Sequence, residues 1–375
     1  MKKLSLTALA AAMALAGSAF AADVQIYGLI DTGLSYQHID QDKGGNDSVN
    51  KFQLRGSQLA PNRFGFRGTE DLGNGLKVGF LLEGQFGSDD GSLTSGRLFH
   101  RAAELSLISA DYGTLTMGRM GALRSGFGST GIWGAKTGPF SNSAGEYIVG
   151  HKYIMPGGFK AVDNAVTYKT PVMSGLQLHA QYSGKLDNTK QTTEREFNHE
   201  SDRLWALGAT YSSGPLNVVA VLDSVMYSQK TSQPKDSLSF SLEADWKFNF
   251  AKVYASGMAF RDVKGSEFQG HGVKALDSLN SGIAYDGYSL ELGADIPLMG
   301  GTAKVNAGWM SADNADTNAD ETTRLAFAAG YVYPLSKRTQ LYSAAGWIRD
   351  KSNMKGYEGS HPSAAEAIFG LLHRF

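Results

Sequence analysis

The chain has 375 residues, of which 42% are hydrophobic and 11% aromatic, with 46 glycines, 9 prolines, no cysteine and a formal net charge of −1. The lack of cysteine excludes a disulfide scaffold, thiolate metal sites and thiol chemistry. Near-neutrality argues against nucleic acid as a partner, since that would call for a broad basic field.

Met1-Lys2-Lys3 is a basic start, residues 4–16 form an apolar stretch, and Ala19-Phe20-Ala21 is a small-x-small cleavage pattern. Residues 1–21 therefore read as a secretory signal peptide, too short for a spanning helix, and 22–375 as the mature chain. Beyond the leader no apolar run approaches the roughly 20 residues a membrane helix requires. What recurs instead is period-2 alternation, the signature of strands. Within 62–68, Phe64 and Phe66 oppose Arg63 and Arg67; within 176–182, Leu178 and Ala180 oppose Gln177, His179 and Gln181. Along 238–247 one face reads Leu, Phe, Leu, Ala, Trp and the other Ser, Ser, Glu, Asp, Lys; 288–298 repeats the pattern. The chain closes on Ala367, Phe369, Leu371, His373 and Phe375 along one face, the pattern of a strand between lipid and water. Phe375, with Leu371 and Phe369, reads as a membrane-insertion signal. Lipid offers no partner to a free sheet edge, so 24–36 is expected to pair with 365–375.

Tight turns fall at 71–75, 111–113, 213–215, 299–301 and 335–338. Long polar stretches fall at 39–58, 122–159, 185–201, 263–281, 311–322 and 351–363. Short turns on one rim and long loops on the other predict an all-β transmembrane antiparallel β-barrel of about sixteen strands.

Several segments carry a family resemblance. Gly68-Thr69-Glu70-Asp71-Leu72-Gly73-Asn74-Gly75-Leu76-Lys77 resembles the second-strand hairpin of the Gram-negative trimeric porins, and Val24-Gln25-Ile26-Tyr27-Gly28-Leu29-Ile30-Asp31 their first strand. Tyr112-Gly113-Thr114-Leu115-Thr116-Met117-Gly118-Arg119 is similar to the strand before their third loop, and Leu335-Ser336-Lys337-Arg338-Thr339-Gln340-Leu341-Tyr342 to a late periplasmic turn. The resemblance implies sixteen strands, a homotrimer, and a long third loop folded into the lumen as a constriction. The stretch 122–159 suits that role, being rich in Gly and Ser with few apolar anchors (Phe127, Ile132, Trp133, Phe140). Small outer-face residues such as Gly28 and Thr32 are expected to let neighbouring barrels approach.

Two motifs in the chain carry little. Gly126-Phe127-Gly128-Ser129-Thr130-Gly131 is formally GxGxxG, but Gly138 and Pro139 interrupt any following helix and the next acid, Glu146, comes too early for a dinucleotide site. The acidic run 313–321 lacks a calcium loop's central glycine and distal glutamate, so a solvated loop tip is expected there. No nucleophile elbow, zinc-protease motif or Walker loop is present, so neither an enzyme nor a cofactor is expected.

The expected function is an outer-membrane porin, a water-filled channel for passive diffusion of ions and small hydrophilic solutes. Rivals are a substrate-specific channel, a barrel enzyme and a non-conducting adhesin. Candidate pore-lining and constriction residues are Arg63, Arg67, Lys77, Glu83, Arg101, Arg119, Arg124, Lys136 and Glu146, with Arg97 also a wall base. Opposing carboxylates are expected at Glu83, Glu243, Asp245, Glu291 and Asp295. The third loop holds one acid, Glu146, against Arg124, Lys136, His151 and Lys152, which predicts a mild preference for anions. Expected partners are two further copies of the chain, outer-membrane lipid and lipopolysaccharide, small solutes and ions, and no nucleic acid.

Overall fold

The computed structural model describes residues 23–42, 48–134, 137–141, 144–157, 160–189, 195–228, 235–268, 283–317, 321–353 and 359–375. The proposed leader and Lys136 lie outside the described residues, as does part of the acidic run. The strands are β1 Gln25–Asp40, β2 Val49–Gly56, β3 Arg63–Gly73, β4 Leu76–Gln85, β5 Ala102–Ser109 and β6 Gly113–Gly121. After a long excursion come β7 Ala161–Lys169, β8 Leu176–Ser183, β9 Arg203–Ser213, β10 Leu216–Met226, β11 Leu238–Lys247 and β12 Lys252–Lys264. The last are β13 Ala284–Leu298, β14 Gly301–Asn314, β15 Thr322–Pro334, β16 Thr339–Ser352 and β17 Ser363–Arg374.

Sequence neighbours pair antiparallel from β3 to β17, and β1 closes the ring against β17, in register from Leu29↔Arg374 to Asp40↔Ser363. Backbone bonds of 3.1 Å in both directions between Gly28 and Phe375 extend the seam to the last residue. The space over Gly28 is filled by the Phe375 ring, so this glycine packs against the chain's own terminus instead of offering a close approach to another barrel.

Seventeen segments make sixteen staves, because β2 and β3 share one position, β2 pairing with residues 32–39 of β1 and β3 with residues 25–29. Asp31 explains the break. Its buried carboxylate accepts the backbone N–H of Leu59 at 2.6 Å and of Ala60 at 2.7 Å, and the Tyr342 hydroxyl, drawing 57–62 off the ladder. Pro61, which has no N–H to donate, stands in that break. The stretch 39–58, expected as a loop, therefore contains a strand. Its alternation is obscured because Lys51, Gln53 and Arg55 fill one face.

The pleat sorts side chains as lipid outside and polar contacts inside require. Leu290 and Leu292 are 58% and 62% exposed, whereas Glu291 between them is 3% exposed. At the short-turn rim Trp246, Phe248 and Phe250 form an exposed aromatic chain, with Phe248 and Phe250 stacked at 5.5 Å, and Tyr331 stacks on Tyr333 at 6.5 Å. Aromatic rings at that height suit a membrane–water interface.

Candidate functional site

Among the described residues, 122–134, 137–141 and 144–157 supply much of the buried apolar cluster and pack against the sheet. Trp133, Phe140, Tyr147, Ile148 and Ile154 are buried. The wall beneath them is cut away to glycine: a Cβ at Gly308 would lie 2.6 Å from Ile154 Cδ1, and one at Gly346 2.6 Å from the Ile148 Cα.

Charged groups on the inner faces of β10–β17 hold this segment. Arg124 donates Nε to Asp223 at 2.8 Å and Nη1 to the Pro156 carbonyl at 2.8 Å. His151, in a single helical turn (His151–Ile154), reaches Glu291 with Nδ1 at 2.5 Å and Thr137 with Nε2 at 2.8 Å. Arg324, bonded to Asp350 at 2.8 and 3.0 Å, also donates to the Tyr153 carbonyl at 2.7 Å. On β17 the Glu366 carboxylate accepts the N–H of Glu146 at 2.5 Å and of Tyr147 at 2.8 Å, as well as the Ser35 hydroxyl of β1 at 2.6 Å. Glu146 itself pairs with Arg55 of β2 at 2.9 Å.

The side formed by β3–β5 and the end of β17 is different. There a cavity of about 720 Å³ is lined by Arg63, Arg67, Arg101 and Arg374, against Asp23, Glu83 and Glu104. Arg101 lies in its wall, bonded to Glu83 at 2.5 Å with its guanidinium 4.1 Å from the centre of the Phe127 ring. The other Glu83 oxygen accepts the Tyr27 hydroxyl at 2.7 Å and stands 3.9 Å from Arg63. Glu104 is turned to the N–H and hydroxyl of Ser129 in the loop. Arg67 donates to Gln25 at 3.0 Å and lies over Tyr27; among the described residues neither it nor Arg374 has a carboxylate at salt-bridge distance. Four guanidinium groups and three side-chain carboxylates line this cavity, together with the terminal residue Phe375.

A third cluster stands above it. Arg97 bonds Asp163 at 3.0 Å and Asp187 at 2.7 Å, and Arg119 bonds Asp163 and the His100 carbonyl. Burial, and then the charges of Arg119, Arg101 and Arg97, push His100 down to about 4, so it stays neutral among them.

The candidates from sequence thus separate. Arg63, Arg67, Glu83 and Arg101 converge on one cavity. Glu83 is the partner of Arg101 and Arg63 and not a charge opposing them. Lys77 is displaced from the group: it is exposed at the short-turn rim, 3.9 Å from Asp71. Arg124 and His151 are buried against Asp223 and Glu291, so the loop's positive charge is spent on holding it to the wall. Glu243, Asp245 and Glu291 are buried on the loop-covered side, and Asp295 pairs with Lys304 at 2.8 Å. Arg374 and Glu366 escaped the sequence reading. Their only signal was polarity at inward positions of the terminal strand.

A model of the Gram-negative porin family matches residues 8–353. An outer membrane porin protein of Bordetella pertussis is 33% identical, the match covering 100% of both chains. Among solved structures, the anion-selective porin from Comamonas acidovorans superposes with a TM-score of 0.70 at 24% identity, over 94% of this chain and 100% of that one. In-vitro folded OmpT of Vibrio cholerae, in a trimer form, gives 0.61 at 13% identity, over 95% and 100%.

Proposed function

The chain belongs to the Gram-negative porin family, outer-membrane channels for passive diffusion of ions and small hydrophilic solutes, and from that premise we propose that its aperture prefers small anions. The family and the fold are those of a channel rather than of an enzyme. One observation carries the reading: the segment 122–157 is bound to the β10–β17 side, and the side it leaves open carries Arg63, Arg67, Arg101 and Arg374 around the cavity. In this reading 122–157 is the constriction and the cavity forms one wall of the passage. An anion is attracted there by charges acting through a dielectric below that of water, and a cation is repelled by the same field. Selectivity set this way is modest, because Glu83 and Glu104 offset part of the charge, and it fades as salt rises, the screening length being about 3 Å at 1 M. The first solved neighbour is named for anion selectivity, which fits.

A homotrimer accords with the trimeric neighbour, removal of 1–21 with the leader's pattern, and contact with outer-membrane lipid and lipopolysaccharide with the apolar outer face. Phe375, Phe369 and Leu371 all face outward, 47%, 56% and 41% exposed, as a terminal insertion signal read by an assembly factor would. Reversal potential in a dilute KCl gradient across planar bilayers tests the main reading. An anion-selective sign is expected; a cation-selective sign refutes it.

A further inference from the structure

On the outer face, β13–β16 make a groove in the apolar band. Its volume is about 640 Å³, inside the range of about 300–1,000 Å³ common to ligand clefts. Small side chains, Ala307, Ala329 and Ala345, lie between the larger Leu292, Val305, Phe327 and Trp347. The rings of Phe327 and Trp347 stack at 6.2 Å. Asn306, a polar member of the lining, turns its amide inward to Glu291 and the Val149 carbonyl.

From Trp347 the outward side of β16 continues to Arg349 and Lys351, both exposed, towards the long-loop rim. The ladder row through Arg349 crosses Leu325, Trp309 and Leu290; the row through Lys351 crosses Thr323, Ser311 and Tyr288. None of these is acidic. Acids stand two residues further along each strand, at Asp286, Asp313 and Glu321. On the β1 side Asp40 and Asp42 share a polar cleft with Arg349 and His361, where Asp42 accepts the His361 N–H at 2.5 Å. The groove thus meets Arg349 and Lys351 on one flank, and Asp40 and Asp42 lie on the other.

On the reading that this outer face lies in outer-membrane lipid, we propose that β13–β16 carry a site for one anionic, phosphate-bearing lipid of the outer leaflet. An acyl chain occupies the groove and the phosphate meets Arg349 and Lys351. A chain already in the bilayer gains nothing by leaving water, so packing in the groove and charge at the head decide which lipid stays. The longer loops of such barrels are extracellular, which puts both cations on the outer-leaflet side. A guanidinium offers phosphate a planar fork, and an ammonium beside it adds a point charge. Trp347, between groove and cations, suits the boundary where aromatic rings collect.

The test incubates the full-length barrel in mild detergent with bisphosphorylated lipid A, with zwitterionic phosphatidylethanolamine or with inorganic phosphate, and counts retained lipids by native mass spectrometry. Wild type is expected to keep lipid A in preference to phosphatidylethanolamine, and millimolar phosphate is expected not to displace it. Arg349→Ser with Lys351→Ser should weaken lipid A retention about five-fold per cation removed and leave phosphatidylethanolamine unchanged. Ala329→Leu with Ala345→Leu fills the groove and keeps both charges; it should weaken lipid A retention several-fold. Equal lipid A retention by wild type and both variants overturns the proposal. Equal retention of the two lipids by wild type overturns the site and leaves lipid contact of the outer face standing, whereas retention of neither counts against both. If filling the groove changes the oligomeric state and not lipid retention, the groove seats a neighbouring barrel and the proposal falls.

Discussion

The two halves of the inner wall use similar side chains to opposite ends. Along β10–β17, Arg124, Arg324 and His151 each meet a carboxylate within 2.8 Å, and those pairs are buried where the loop lies on them. Along β3–β5 one carboxylate, Glu83, is shared between Arg101, Arg63 and Tyr27, while Arg67 stands over the open cavity. The first arrangement fixes a segment in place; the second leaves a field in water. A formal net charge of −1 predicts neither, since only the imbalance that solvent can reach acts on a solute.

Breaking the covered side carries the largest expected effect. Asp223→Asn leaves Arg124 buried without its counter-charge, a loss of about 3–5 kcal/mol by the precedent of broken buried pairs. A lower heat-denaturation midpoint and noisier single-channel current would register it, and wild-type behaviour in both would show that the pair does not hold the loop. Glu366→Gln is milder. It weakens charge-assisted bonds to the N–H groups of Glu146 and Tyr147 that are worth roughly 1.5–3 kcal/mol each. The expected readout is faster protease cutting within 122–157 on a barrel that still migrates as folded.

Substitutions on the open side should move selectivity and spare stability. A unit charge about 8 Å from the permeant ion in water is worth about 0.5 kcal/mol, so removing one changes the anion-to-cation ratio roughly five-fold, because the two ions feel opposite signs. Arg63→Ser with Arg67→Ser is therefore expected to abolish most anion preference in dilute KCl, with an unchanged denaturation midpoint. An unchanged reversal potential would place the narrowest point elsewhere.

The smallest effect expected is a pH dependence at His100. Its folded value of about 4 lies below the ordinary 6.5, so between those values the unfolded chain binds more protons. Stability attributable to this residue is full above pH 6.5, falls as the pH drops towards 4, and is then lost. His100→Gln should flatten that part of the profile relative to wild type, and parallel profiles would remove His100 from the account.

Much of this architecture was legible because alternation and turn length are local. The faces of 238–247 and 288–298 and the inward side of Arg63 and Arg67 follow from counting by twos, and the closure of 24–36 on 365–375 from the need of both sheet edges for a partner in lipid. Depth and partnership were not legible. Lys77 shares an inward face with Glu83, yet six residues of rise place it at the rim. Arg124 is one more cation in a polar loop until Asp223, 99 residues away, is brought beside it. The β2–β3 break depends on Asp31, whose role rests on amides 28 and 29 residues ahead and on a hydroxyl 311 residues distant. Pairings of that range have no local trace in one sequence.

Glu366 binds two events in time. Its carboxylate joins the last strand to Ser35 on the first, across 331 residues of chain, and the same carboxylate receives the loop's N–H groups. Apart from the short β1–β3 contact, every other ladder links sequence neighbours and can form as the sheet grows, so the seam, with the longest sequence separation, comes last. Until then the nascent sheet has two open edges, each a template for pairing with another chain. The loop meanwhile lacks its anchor on β17. The segment that Glu366 anchors is seated in the same step that removes the edges, and a chain halted before its final strand is left as an open sheet with that segment unseated.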